Sequence, residues 1–220
     1  TTGANNVAVG KSALDSNTTG EGNVAIGMQS LDANVSGYGN TAMGKQSLCK
    51  NTANDNTAVG GAALCLNTSG ANNTAVGKTA LNANTTAASN TAVGCGSLLT
   101  NTTGAENTAI GANSLDANTT GAENAAVGND ALGANTTGSS NTAVGTKALF
   151  TATTAGTNTA VGNQAMRLTT TGANNVAVGQ KSLYANTTGA TNVAVGTEAL
   201  LCNTTGGDNV SIGIQAGDGV

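Results

Sequence analysis

The apolar residues of this chain fall into a fixed beat. Val76 is followed five places on by Leu81, Val93 by Leu98 and Ile110 by Leu115, and each pair opens in a stretch of the form N-T-A-V-G, at Asn73, Asn90 and Asn107. Marking every such start gives thirteen, from Asn6 to Asn209. All lie 17 residues apart except Asn40 and Asn56, which are 16 apart, where "NTAND" lacks the Gly that "NTTGA" carries elsewhere. The repeat reads N-T-A-V-G-x-x-A-L-x-x-N-T-T-G-A-x; its places are numbered here from that first Asn, and each copy is called a rung. A fixed short period is the mark of a solenoid, in which neighbouring units bury each other's apolar side. Seventeen residues with glycine at the fifth and usually the fifteenth place are too few and too broken for a helix pair. The pattern therefore predicts an all-β parallel β-solenoid, a β-roll or β-helix, with a 17-residue rung and about 13 rungs. "TAV" is expected as one strand and "AL" with its neighbours as a second, with "G-x-x" and "NTTGA" turning the chain. Residues 1–220 read as one such array, a segment of something longer or one subunit of a filament. Stacked at about 4.8 Å, thirteen rungs make a rod of roughly 60 Å.

The places differ in what they hold. The fourth is always Val, Ile or Met (Val9, Ile26, Val59, Val76, Val93), and the ninth is Leu in all but one full rung (Leu14, Leu31, Leu64, Leu81, Leu98). Both are expected to be inward ladders, because so narrow a coil has room for few aliphatic side chains per turn. Gly at the fifth place in every rung implies a positive φ or a backbone too crowded for a Cβ. Asn at the twelfth place suits a turn, and stacked amides can hydrogen-bond from rung to rung. Lys11, Lys45, Lys78, Lys147, Glu198, Asp15, Asp116, Phe150 and Tyr184 sit in the sixth, seventh and tenth places, which reads as solvated edges. The third place is Ala in all rungs but one, and the eighth is always Ala or Ser. Strand alternation sends these opposite to the Val ladder, either onto a face that packs against another chain or into a second narrow layer inside the coil.

Val220 falls at the twelfth place and Thr1 at the thirteenth, so the chain holds a whole number of turns. Copies joined head to tail would continue the coil and grow into a filament; a longer array cut at this point would look the same. The last rung, "NVSIGIQAGDGV", departs from the rule, with Gly217 in the Leu place.

Composition narrows the function classes. Only 1% of the residues are aromatic and 8% charged, too few for an ordinary globular core, yet 38% are hydrophobic and regularly spaced, which argues against disorder. A net charge of -4 with seven Lys and Arg gives no basic stripe for nucleic acid. No apolar run is long enough to span a membrane. Without histidine, no serine or cysteine has its usual general base, so no enzyme and no cofactor are expected.

"NTAVG", "NVAIG" and "NTAIG" resemble the "S-V-A-I-G" repeats in the head domains of trimeric autotransporter adhesins, the YadA-like family. The resemblance implies a left-handed parallel β-roll, a homotrimer packed through small and aliphatic faces, and adhesion to a host-surface or glycan ligand. Those head repeats are usually shorter and lack the "NTTGA" stretch. Similar arrays also look like the fibre regions of tailed phages and other viruses.

Other candidate chemistry is sparse. Asp15 and Asp32 share the tenth place in adjacent rungs, an arrangement more typical of solvated or weakly cation-binding edges than of a glycosidase. Cys49 and Cys65 share that place in rungs 3 and 4, within reach of a disulfide, whereas Cys95 and Cys202 have no partner in their columns. Asn17, Asn34, Asn67, Asn84, Asn101, Asn118, Asn135, Asn186 and Asn203 each open an N-x-[ST] sequon, read either as a row of glycan sites or as one repeated Asn-Thr turn. The expected function is an extracellular structural or adhesive fibre, at a cell surface or on a virion appendage, whose partner is itself. Phage or viral fibre shaft and ice-binding solenoid are the alternatives, the latter for its ranks of Thr.

Overall fold

A computed structural model describes residues 2–218. Thirteen three-residue strands, one per rung, form a single parallel sheet in chain order: β1 Val7–Val9, β2 Val24–Ile26, β3 Thr41–Met43, β4 Thr57–Val59, β5 Thr74–Val76, β6 Thr91–Val93, β7 Thr108–Ile110, β8 Ala125–Val127, β9 Thr142–Val144, β10 Thr159–Val161, β11 Val176–Val178, β12 Val193–Val195 and β13 Val210–Ile212. The chain is thus the predicted parallel β-solenoid. Pairing is in register by place, Thr74 with Thr91 and Val76 with Val93, so each place of the repeat stacks on the same place of the next rung.

The second wall is not a strand. Its rungs do bond to one another, as where the N–H of Leu31 donates to the Ser47 carbonyl at 3.0 Å and that of Gln46 to the Met28 carbonyl at 2.9 Å. Yet φ is positive at the seventh and ninth places, 57° at Gln29 and 51° at Leu31. This wall is therefore a stack of turns, closed within each rung by bonds such as Asn34 N–H to the Leu31 carbonyl. A positive φ is unfavourable for a residue as bulky as Leu and persists only where its surroundings fix it. Here the rung-to-rung bonds and complete burial of the leucine side chain do so.

The interior corrects one expectation outright. The ninth-place Leu31, Leu64, Leu81 and Leu98 are buried as expected, and Leu14, in the first rung, is partly so. The fourth-place ladder, however, faces out: Val9 is 57% exposed, Val76 37% and Ile26 36%, while Val59 and Val93 are half-buried. The third-place alanines lie inside instead, Ala25, Ala58, Ala75 and Ala92 all fully buried. Leu from the opposite wall fills the lumen, so the strand can contribute only a methyl there, and alternation then puts Val outside. The small residues of the third and eighth places accordingly line the coil and do not form an outer face. Eighth-place serines fit because their hydroxyls donate to the fifth-place carbonyl, as Ser30 does to Gly27 at 3.0 Å.

Two asparagine columns complete the core. Asn73 Nδ2 and Asn84 Nδ2, from the first and twelfth places of one rung, both donate to the Ala87 carbonyl at 2.9 Å and so tie opposite sides of the coil together. Between rungs, Asn84 Nδ2 donates to Asn67 Oδ1 at 2.7 Å, and the Asn73 N–H donates to Asn56 Oδ1 at 2.9 Å. The short rung 3 keeps this plan, since Asn40 Nδ2 and Asn51 Nδ2 converge on the Ala53 carbonyl at 2.8 and 2.9 Å. Ala53 thus occupies the fifteenth place, and the residue missing there is the second Thr, not the Gly.

At the fifth place φ is about 130–140° and the backbones of adjacent rungs nearly touch: a Cβ on Gly111 would lie 2.5 Å from the Gly128 carbonyl oxygen. Both reasons expected for glycine hold. Gly217, in the Leu place, has a φ of 70°. The expectations placed on Thr1 and Val220 lie outside the described residues.

Candidate functional surface

The outward side of the sheet carries the second- and fourth-place columns, which alternation puts on one face. The fourth-place column is aliphatic throughout. The second-place column is Val at both ends (Val7, Val24, Val176, Val193, Val210) and mainly Thr between (Thr41, Thr57, Thr74, Thr91, Thr108, Thr142, Thr159). Neither column contains a charged residue. The strip is about 60 Å long and about 10 Å wide, roughly 600 Å², the upper end of what a monomeric protein leaves exposed.

The two sets of threonines differ in how their hydroxyls are used. In the thirteenth column each Thr from Thr18 to Thr187 bonds to the next rung, Thr68 Oγ1 to the Thr85 carbonyl at 2.8 Å and Thr102 Oγ1 to the Thr119 carbonyl at 3.0 Å. Among the described residues the second-place hydroxyls make no such bond and remain free for water or a partner.

The sequon asparagines are the twelfth-place ladder itself. Asn34, Asn67, Asn84, Asn101, Asn118, Asn135 and Asn186 are fully buried, and Asn17 and Asn203 half-buried. A glycan on these amides would have to replace the ladder bonds and occupy the core, so the folded rod does not present them as a row of sugar sites. The ladder itself has gaps. Rungs 9 and 10 carry Ala152 and Thr169 at this place, and Asn135 Oδ1 and Thr169 Oγ1 are buried without a partner. Asn34 Oδ1, facing the short rung 3, is also unpaired.

The tenth-place column lies on a partly exposed edge, as expected. Asp15 is exposed and Asp32 half-buried. Burial, with Asp130 adding, holds the Asp116 carboxyl above the usual carboxylate range. Phe150, Arg167 and Tyr184 stack there in rungs 9 to 11; Arg167 Nη1 donates to the Tyr184 hydroxyl at 2.9 Å, and Lys147 Nζ lies 5.8 Å from the Phe150 ring. Cys49 and Cys65 are free and half-buried, at the same place of adjacent rungs. Burial raises both thiols above their ordinary pKa, the Cys65 thiol adding to this at Cys49 and the Lys50 ammonium opposing it at both. Cys95 and Cys202 are exposed and apart. A hollow of about 560 Å³ opens at the C-terminal end, lined by Leu200, Cys202, Asn203, Asn209 and Ser211 among others.

Among the described residues there is no cluster of three or more metal-ligating side chains, and no helix is long and apolar enough to cross a membrane. Comparison with family models, curated proteins and solved structures finds no match. The reading of function therefore rests on the geometry of this one rod.

Proposed function

We propose that this solenoid is a segment of an extracellular structural or adhesive fibre that packs side by side with further copies of itself. The observation behind this reading is the outward fourth-place column: one Val, Ile or Met side chain per rung, on a charge-free face that runs the length of the sheet. A charge-free strip of that size with an unbroken apolar column costs solubility unless something covers it, and an identical strip on a second copy has the same length, pitch and lack of charge. The resemblance to trimeric adhesin heads points to three copies around an axis, and head-to-tail joining would lengthen the fibre. Which surface or glycan such a fibre would touch belongs to the remaining edges, where the bulky and charged side chains lie. Sedimentation equilibrium over a range of concentrations, with negative-stain electron microscopy of the same samples, tests the reading. Two or three chains per particle, or long uniform filaments, support it; single rods of one chain at every concentration overturn it.

A second reading has its own observation. The free Thr hydroxyls alternate with Val methyls on a lattice of about 4.8 Å by about 6.7 Å, a surface suited to holding ordered water. Ice binding by this face predicts thermal hysteresis in the purified protein, and its absence removes that reading.

A further inference from the structure

Cys49 and Cys65 stand at the tenth place of rungs 3 and 4, and the backbone is paired on both sides of them. Leu48 N–H donates to the Ala63 carbonyl at 3.0 Å and Lys50 N–H to the Cys65 carbonyl at 3.1 Å. In-register rungs set their Cα atoms about 5 Å apart, inside the range a disulfide spans. Both side chains leave the same place of adjacent rungs, so the two thiols are neighbours on one edge of the rod. Both are half-buried and so reachable by a small reagent, unlike the core ladders beside them. Cys49 lies on rung 3, the one rung that is a residue short.

We infer that Cys49 and Cys65 form an oxidisable cross-rung dithiol that closes to an intrachain disulfide and pins rung 3 to rung 4. With a low-molecular-weight disulfide such as oxidised glutathione as the oxidant, one cysteine thiolate attacks a sulfur of the reagent and a mixed disulfide forms as one reagent thiol leaves. The second cysteine then attacks the protein sulfur of that mixed disulfide and releases the second reagent thiol. Two protons leave the cysteines, two electrons pass to the reagent, and one S–S bond replaces two S–H bonds. Because the thiolate is the reacting form and both thiols titrate above their ordinary range, closure speeds up as the pH is raised. The charged groups at the pair are Asp32 and Lys50. Cys95 and Cys202 lack a neighbouring thiol and stay out of the reaction within one chain.

The full chain, equilibrated with oxidised glutathione at mildly alkaline pH, blocked with an alkylating agent, unfolded and cut with trypsin without reduction, gives a direct answer. Cleavage after Lys45, Lys50 and Lys78 leaves Cys49 in Gln46–Lys50 and Cys65 in Asn51–Lys78. The expected product is these two peptides joined, in the same yield at every protein concentration, with titratable thiols falling from four to two once glutathione on Cys95 and Cys202 is counted separately. Both peptides carrying alkyl groups or separate glutathione adducts would overturn the inference, as would a linked yield that falls on dilution. In Cys65→Ser, Cys49 should stop at the glutathione adduct; a new intrachain link from Cys49 to Cys95 would count against the pairing.

Discussion

Ala152→Asn restores the missing member of the twelfth-place ladder, and its effect can be worked out from the neighbouring rungs. Ala152 is fully buried, between Asn135 below and Thr169 above. In a complete rung the amide Nδ2 donates twice, as Asn118 does to Asn101 Oδ1 at 2.8 Å and to the Gly121 carbonyl at 2.9 Å. At residue 152 the same two acceptors wait: Asn135 Oδ1, buried with no partner, and the Ala155 carbonyl, which receives only Asn141 Nδ2. Pairing a buried orphan oxygen recovers about 1–3 kcal/mol, and the second bond contributes about 0.5–1.5 kcal/mol. Fixing the new side chain costs about 1 kcal/mol. The net is about 2 kcal/mol of added stability, or a Tm about 4–8 °C higher for a chain of this size. Thermal and urea unfolding followed by circular dichroism would measure it. The decisive control is the same substitution in an Asn135→Ala background, where the acceptor is gone and the gain should shrink by at least about 1 kcal/mol. A lowered Tm, or an equal gain in both backgrounds, would refute the ladder argument.

The core and the outer face should respond oppositely to truncation: Leu98→Ala, in the lumen, is expected to cost about 2–5 kcal/mol in urea unfolding, whereas Val93→Ala, on the outward column, should cost under about 1 kcal/mol in dilute protein. Gly111→Ala, whose Cβ would strike the Gly128 carbonyl at a φ of 130°, should destabilise by at least about 3 kcal/mol. Gly61→Ala, with open space around it and no positive φ, should be neutral or slightly stabilising in the same assay. Asp116 is held above the usual carboxylate range, chiefly by burial, so the folded state takes up protons more readily than the unfolded one and stability falls as pH rises from about 4 through the folded pKa. Asp116→Asn should remove that slope and leave the protein somewhat more stable at neutral pH, as seen in Tm measured across acid to neutral buffers.

The period was the legible part of this fold. Identical residues at a fixed spacing can only stack on themselves, and from that follow the rung, the "TAV" strand, the buried Leu column and the crowded fifth-place glycine. What the pattern left open was a sign. Alternation states that Ala75 and Val76 point to opposite sides, but not which side is the lumen, and the larger side chain is the natural choice for a core. Packing decides otherwise, because Leu81 and two Asn columns already fill the interior. One trace of this was present in the residues: the fourth place never carries a charge, yet neither does the third, so charge alone did not separate them. The second strand was misjudged because "AL" looks strand-like, while the positive φ at the seventh and ninth places has no marker when Leu, Gln, Lys and Thr all occupy it. The twelfth-place Asn was legible as a ladder but not as core, since burial of an amide is tolerable only when the next rung supplies its partner. The outer face, and with it the candidate interface, became visible only once Val was seen to point outward.

Val76→Lys combined with Val127→Lys places two charges on the outward column at rungs 5 and 8, and sedimentation equilibrium of this variant beside the wild type tests the central claim most directly. The wild type is expected to hold two or more chains, and the variant to be a single chain that keeps its circular dichroism and its cooperative unfolding. A variant that no longer folds would place the fourth-place column in the core, and a variant with the wild-type mass would show that this face is not where the copies meet.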